Sequence, residues 1–253
     1  MRILHINSYF SDRGKPTFYK NLFETQVEQG LDISVYVPLG QPVNFAAQKK
    51  FGEYSILAKT HNSRDRWIFR IKQGKILTDA KDRFPKGRFD LIHSHSLFTN
   101  GYVAWKLGEV LGIPFVTAIR DTDINYFFRF MPHVRKTGLD ILSNAGKVFS
   151  INKPYLETLA GRYLPDALRN SLVAKAKVVC NGIDKFWLKN RLKNGKRLEL
   201  ESKNLALLTV GKIINRKNQL TAAKAAEILN QRGFKVTLTV VGEEKDKKIL
   251  RKL

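Results

Sequence analysis

The feature that most constrains this chain is a strand–helix–strand alternation that begins at its second residue. Arg2–Asn7 is a short apolar run ending in polar Asn7 and Ser8, the pattern of a buried strand. Phe18–Gln29 sets Leu22, Phe23 and Val27 at helical spacing, and Gly30 supplies the stop. Leu31–Val37 is rich in Ile and Val, and Pro38 is expected to end it. Strand, helix and strand so close together define the unit of a parallel sheet, because parallel strands need a crossover.

The alternation continues. Tyr54–Lys59, Phe89–His93, Pro114–Ile119, Lys147–Ile151 and Lys177–Cys180 are expected strands. Asp65–Phe84, Asn100–Leu111, Phe128–Asn144 and Lys153–Leu164 are expected helices, with Gly112 closing the second. No fixed repeat period appears, which excludes a solenoid. A polar, basic stretch then interrupts. Beyond it come strand Leu205–Val210, helix Gln219–Gln231, strand Lys235–Val241, and a charged helical start from Gly242 to Leu253. The expected fold is α/β: a Rossmann-like parallel sheet with flanking helices over residues 1–185. A basic linker follows over 186–203, then a second β/α domain over 204–253. One β-α-β unit cannot cover both faces of a sheet, so this second domain is expected to be incomplete.

Composition narrows the function classes. With 43% hydrophobic and 26% charged residues over 253 positions, the chain lies outside the disordered class. A single cysteine, Cys180, excludes an intrachain disulfide and a Cys-cluster zinc site. No apolar run approaches the ~18 residues of a membrane span. The first apolar stretch is too short for a signal peptide, so a cytoplasmic setting is expected. Lys and Arg number 45 against 22 Asp and Glu, a net charge of +23. Such a field favours anionic partners. The excess is uneven: residues 141–203 hold 13 basic and 5 acidic groups, and 204–253 hold 11 and 4. Nucleic acid is not an expected partner, because no nucleic-acid module is present and the aromatics fall at core periodicity.

Several signatures are missing: no Gly-x-Gly-x-x-Gly, Walker A, Gly-x-Ser-x-Gly or His-Glu-x-x-His occurs. His93-Ser94-His95 closes a strand, and its two imidazoles point to one side. No third metal ligand is obvious nearby in sequence, so a place facing a cleft is expected instead. Arg120, Asp121 and Asp123 follow the strand Pro114–Ile119 and are cleft candidates for the same reason. Asp121-Thr122-Asp123 alone is too short a pattern to specify a metal. Gly211-Lys-Ile-Ile-Asn-Arg-Lys-Asn218 follows an apolar strand and opens a helix. Lys212, Arg216 and Lys217 gathered at a helix N-terminus are unfavourable with its dipole unless an anion lies between them, and phosphate fits best.

Taken in order, these segments resemble the retaining GT-B glycosyltransferases of family 4. Arg2–Asn7 and the Gly14 loop are similar to that family's first strand and glycine-containing loop. Phe89-Asp-Leu-Ile-His-Ser-His-Ser96 resembles its Asp-x-x-His-x-His strand, and Val179-Cys-Asn-Gly-Ile-Asp184 its Pro-Asn-Gly-Val-Asp turn. Val210-Gly-Lys-Ile-Ile-Asn-Arg-Lys-Asn218 resembles Val-Gly-Arg-x-x-x-x-Lys-Gly/Asn, and Val240-Val-Gly-Glu243 the strand that follows. Ala118-Ile-Arg-Asp-Thr-Asp-Ile-Asn125 is similar to a bacterial subfamily reading Val-Arg-Asn-Thr-Asp-Val-Asn.

The resemblance implies transfer of a sugar, with retention, from a nucleotide-sugar donor to a saccharide or lipid-linked acceptor, as in bacterial surface polysaccharide synthesis. It implies that Gly211, Lys212 and Lys217 hold the donor diphosphate, and that no metal or other cofactor is needed. His95, Arg120 and Asp121 become the catalytic candidates. Gly14, Lys15, Asp123 and Asn181 become the acceptor-side candidates. Lys212 stands where the family usually has Arg, and so keeps the charge but loses the bidentate fork. Arg120 stands where the family often has His. The family's Glu-x7-Glu segment lies beyond the strand at Val240, and the chain ends about ten residues after that strand. A complete second domain would need roughly 100 more residues. Two other readings remain: an inactive fragment that binds anionic ligands or a membrane surface, and an epimerase on the same fold. The basic segment Asp65–Phe84, carrying Trp67 and Phe69, is a candidate for peripheral contact with an acidic membrane at its inner face.

Overall fold

The computed structural model describes residues 1–10, 17–41, 52–191 and 203–253. It comprises two compact units, Met1–Arg191 and Leu192–Leu253.

The first unit is built on a seven-stranded, wholly parallel sheet. Its strands are β1 (Arg2–Ile6), β2 (Asp32–Gln41), β3 (Ser55–Asn62), β4 (Leu91–Ser94), β5 (Phe115–Ile119), β6 (Lys147–Ser150) and β7 (Ala176–Val178). The order across the sheet is β3-β2-β1-β4-β5-β6-β7. The direction of winding reverses between β1 and β4, the switch point where open α/β sheets form their ligand crevice. The helices are α1 (Thr17–Glu28), α2 (Phe69–Arg83), α3 (Gly101–Leu111), α4 (Pro132–Asn144), α5 (Lys153–Arg162), α6 (Asp166–Lys175) and α7 (Lys185–Lys189). The α/β expectation holds.

Strand parity assigns the two faces. Leu4, Ile6, Tyr36 and Ile92 point into the larger core, with Ile76 of α2, Leu107 of α3 and Ile141 of α4. Each is fully buried, and such burial stabilises by about 1.5–3 kcal/mol per side chain. Ile3, Ile33, Val35 and Val37 point the other way and pack on Phe10 and on Phe23 of α1. Gly112 adopts φ 71° and ends α3 in a left-handed turn, which a residue without Cβ does at little cost.

Several elements of the first unit depart from the sequence expectation. Pro38 does not end β2. The pairing of β1 with β2 stops at Tyr36, so Pro38 lies where β2 keeps only β3 as partner, and its missing N–H leaves no gap on the vacated side. Asp65–Phe84 is not one helix. Ser63–Trp67 form a 3-10 turn, Ile68 is extended, and α2 begins at Phe69. Asp65 holds the break by accepting from the Asn62 N–H at 2.7 Å and from Lys75 Nζ at 2.7 Å. Phe128–Asn144 is also divided, because Met131 precedes Pro132 and is held out of helical geometry. Residues 123–128 form a π-helical segment instead. Finally, α6 was not anticipated.

The second unit pairs β8 (Asn204–Val210) with β9 (Lys235–Val241) in parallel, joined by α8 (Gln219–Gln231), and ends in the short α9 (Lys247–Leu250). The helical start expected over Gly242–Leu253 is therefore only one turn long. The ends of β8 and β9 approach very closely. A Cβ placed on Gly242 would overlap the Gly211 carbonyl oxygen.

Candidate functional site

On the face shared with α1, the first unit encloses a cavity of about 900 Å³ at the carboxyl ends of its strands. Helix α1 covers β1 and β2 there. Over β4, β5 and β6 the floor of the cavity is made by His93, Ala118 and Phe149. Phe18 and Asn21 of α1 form one wall, and the stretch from Val179 to Trp187 forms the other. The walls are tied together. Asn21 Nδ2 donates to Asp184 Oδ2 at 2.9 Å, and Asp184 also accepts the Phe186 N–H and so caps α7.

Arg120, the residue after β5, sits in the cavity wall and joins three strand ends. Its Nε donates to the His95 carbonyl at 3.1 Å, and its Nη1 donates to Asn181 Oδ1 at 2.9 Å. The Phe18 and Tyr19 rings lie 5.9 and 5.8 Å from the guanidinium carbon. The side chain is thus held from three directions, as a fixed positive charge in a recognition site should be. Three sequence candidates, His95, Arg120 and Asn181, come together here.

Asp121 and Asp123 behave differently. Asp121 starts a helical turn and is engaged through Oδ1 by Tyr155 Oη at 2.7 Å and by Asn125 Nδ2 at 2.9 Å. It does not line the cavity. Asp123 is fully buried, which corrects its placement as a cleft residue. Its carboxylate accepts from the N–H groups of Arg120 at 2.8 Å, Leu97 at 3.1 Å and Phe98 at 3.1 Å. Burial pushes its carboxyl up to about 6, while these donors and the Arg120 charge pull it down. Its work is to fix the backbone after β4 against the backbone after β5. Gly14 and Lys15 lie outside the described residues.

His93 and His95 do share one side of β4, as their spacing predicts. The structure adds a residue that sequence reading missed. His5 of β1 is the direct neighbour of His93 across the β1–β4 pair. His5 Nδ1 lies 3.1 Å from His95 Nε2, and the His93 and His95 rings stack at 4.4 Å. One ligand nitrogen from each of the three lies within 4.8 Å of the others. Burial holds all three imidazoles below their ordinary range, His93 at about 4, with neighbouring positive charge second. Only the strand register could have revealed His5.

In the second unit, residues 211–218 form the expected loop between β8 and α8. Asn215–Lys217 make a 3-10 turn, and Asn218 adopts φ 55° before α8 starts. Gln219 is buried and donates to the Lys212 carbonyl at 2.9 Å. The aliphatic part of Lys217 packs about 4 Å from the Cβ position of Gly211, and Lys212, Arg216 and Lys217 are exposed. The loop thus presents three cations on a braced backbone. Among the described residues, no helix is long and apolar enough to cross a membrane.

Comparison with known proteins places this geometry. Residues 14–185 match the model of Glycosyltransferase Family 4. No curated protein matches the chain. Among solved structures, trehalose-6-phosphate synthase aligns with a TM-score of 0.57 at 12% identity, covering 100% of this chain and 67% of that one. The UDP-GlcNAc 2-epimerase of Methanocaldococcus jannaschii aligns at 0.52 and 14%, covering 100% and 68%. A putative UDP-N-acetylglucosamine 2-epimerase from Listeria monocytogenes aligns at 0.51 and 13%, covering 99% and 65%. At such identities the likeness is one of fold, and the chain spans about two thirds of the length of each. The family match covers most of the first unit, including Arg120, His93, His95 and nearly all of the cavity lining, and on that basis the chain belongs to glycosyltransferase family 4.

Proposed function

We propose that this chain supplies the acceptor-binding unit and the diphosphate-gripping loop of a retaining glycosyltransferase. The donor is a nucleotide-sugar and the acceptor a saccharide, free or lipid-linked. The observation that carries this reading is the cavity at the carboxyl ends of the parallel strands, with Arg120 fixed in its wall, in a family 4 chain. A cavity of about 900 Å³ is of the size that encloses a small ligand.

The chemistry follows from charge. Breaking the bond between sugar and nucleotide leaves negative charge on the diphosphate. Cations already in place stabilise that charge without reorganising. Lys212 and Lys217, on the loop after β8, take this role in our reading. The nucleotide-sugar is then a substrate, and the transfer needs no resident metal. The Arg120 guanidinium serves anionic or hydroxyl oxygens in the cavity, and His95 is its neighbour on the cavity surface. The setting we favour is the cytoplasmic face of a membrane. Trp67 is 76% exposed, and Ile68 and the basic residues Arg64 and Arg70 are exposed beside it, a composition suited to an acidic lipid surface.

A titration of the chain with a panel of nucleoside diphosphates, followed by thermal unfolding, tests the donor half. One diphosphate should raise the midpoint, because a ligand that binds only the folded state stabilises it by about 2.7 kcal/mol at a hundredfold excess over Kd. Lys217→Ala should abolish the shift. No shift with any diphosphate would remove this reading. Binding without sugar release from the matching nucleotide-sugar would favour a binding module instead.

A further inference from the structure

We propose that His5, His93 and His95 form a binding site for a first-row divalent transition ion, zinc above all, at the switch point of the parallel sheet. The site shares His93 and His95 with the cavity, but the sugar-transfer reading uses no metal, so the two are tested separately. Three observations carry it. First, the three rings come from two adjacent strands in fixed register, His5 directly beside His93, with His95 two residues on along the same face. Second, the spacing suits a small ion. His5 Nδ1 and His95 Nε2 are 3.1 Å apart, and two nitrogens on a tetrahedral zinc at 2.0–2.1 Å are separated by about 3.3 Å. The third nitrogen lies within 4.8 Å, and the half-buried His93 ring, on the cavity floor, is the one placed to turn and close that gap.

Third, the surroundings suit ligation. His5 Nε2 and Gln26 Oε1 are both buried, and among the described residues the Gln26 side chain is the acceptor placed beside the His5 ring. Donation from Nε2–H to Gln26 would leave the Nδ1 lone pair facing His95, the second-shell arrangement that fixes a metal-binding tautomer. With no carboxylate in the cluster, an imidazole-preferring ion is selected over calcium or magnesium. Arg120 stands nearby and opposes a dication electrostatically, so binding rests on the strength of the metal–nitrogen bonds. A fourth position would open on the cavity through His93 and His95, as in three-ligand zinc sites that keep water or an anionic oxygen.

The test is a cobalt(II) titration of the chelator-stripped full chain, read by visible d–d absorption. Tetrahedral absorption should saturate at one ion per chain and be displaced by zinc. His5→Ala and His95→Ala should each abolish it. His61→Ala and His133→Ala, which alter the remaining histidines, should preserve it. Should the buried variants fail to fold, Gln26→Ala and His93→Gln decide the matter. The first should weaken cobalt binding by about tenfold, and the second should lose the zinc-induced rise in unfolding temperature. Absence of tetrahedral absorption in the native chain would overturn the proposal. So would absorption that survives in the folded His5 and His95 variants, or that disappears only with His61 or His133.

Discussion

Arg120 donates from Nη1 to Oδ1 of Asn181 at 2.9 Å, across 61 positions of sequence. This bond joins the end of β5 to the stretch after β7, on opposite sides of β6. Arg120 reaches the His95 carbonyl with a second nitrogen, so one guanidinium spans three loops of the cavity rim.

That relationship predicts coupling between the two side chains. Arg120→Lys keeps the charge but cannot hold both acceptors, and should lower the unfolding free energy by about 1–3 kcal/mol. Asn181→Ala, at an exposed position, should cost less. In a double-mutant cycle measured by urea unfolding, the two effects should couple by at least about 0.5 kcal/mol. Strict additivity would show that the bond contributes nothing.

Asp123 offers a harsher test. Its carboxylate satisfies three backbone N–H groups in a fully buried place. Asp123→Ala leaves all three unpaired, at about 1–3 kcal/mol each, and should destabilise the first unit by 3 kcal/mol or more. Asp123→Asn keeps the shape but turns an amide N–H toward donors. It should be milder than Ala yet still clearly destabilising. A variant as stable as the native chain would refute this account of the turn.

Acid should destabilise the protein, measured with chelator present so that the histidines are free of metal. In the folded state His93 titrates at about 4, and His5 and His95 are held well below their ordinary range. The unfolded chain therefore takes up protons first, so stability is full above pH about 6.5 and falls as the pH drops toward 4. For His93 alone the loss approaches about 3 kcal/mol. Asp123 acts in the opposite sense. Its carboxyl, raised to about 6, takes its proton first in the folded state, and recovers about 3 kcal/mol over the same window. Three imidazoles outweigh one carboxyl, so the net change is a loss. His93→Gln should flatten the pH profile of urea unfolding, and Asp123→Asn should steepen it.

Gly242 should tolerate no side chain. A Cβ there would overlap the Gly211 carbonyl, a backbone atom that cannot rotate away. Gly242→Ala should cost the second unit about 1–3 kcal/mol or more through forced separation of the ends of β8 and β9. Hydrogen exchange should show faster exchange in β8 and β9 with β1, β4 and β5 unchanged. Equal protection in both units would contradict it.

Much of this protein follows from its sequence alone. The strands and most helices are legible because each is a local pattern: a short apolar run, a 3.6-residue spacing, a glycine stop such as Gly112. Their regular strand–helix alternation points to a parallel sheet, since each return to a parallel strand needs a crossover and a helix supplies it. The motifs around His93, Arg120 and Lys217 fall at strand ends for the same reason. Where prolines and breaks occur, the sequence misleads in both directions: Pro38 is accommodated by an absent neighbour, and Pro132 divides an apparently continuous helix. Only the tertiary structure decided which residues share the site. His5 joins His93 through a register spanning 88 positions, and no local periodicity records which residue of one strand lies beside which residue of another. Asp123 turns inward although its neighbour Arg120 turns to the cavity, because three backbone donors from two loops converge on it. Local patterns set the elements; long-range hydrogen bonding and strand register set the chemistry.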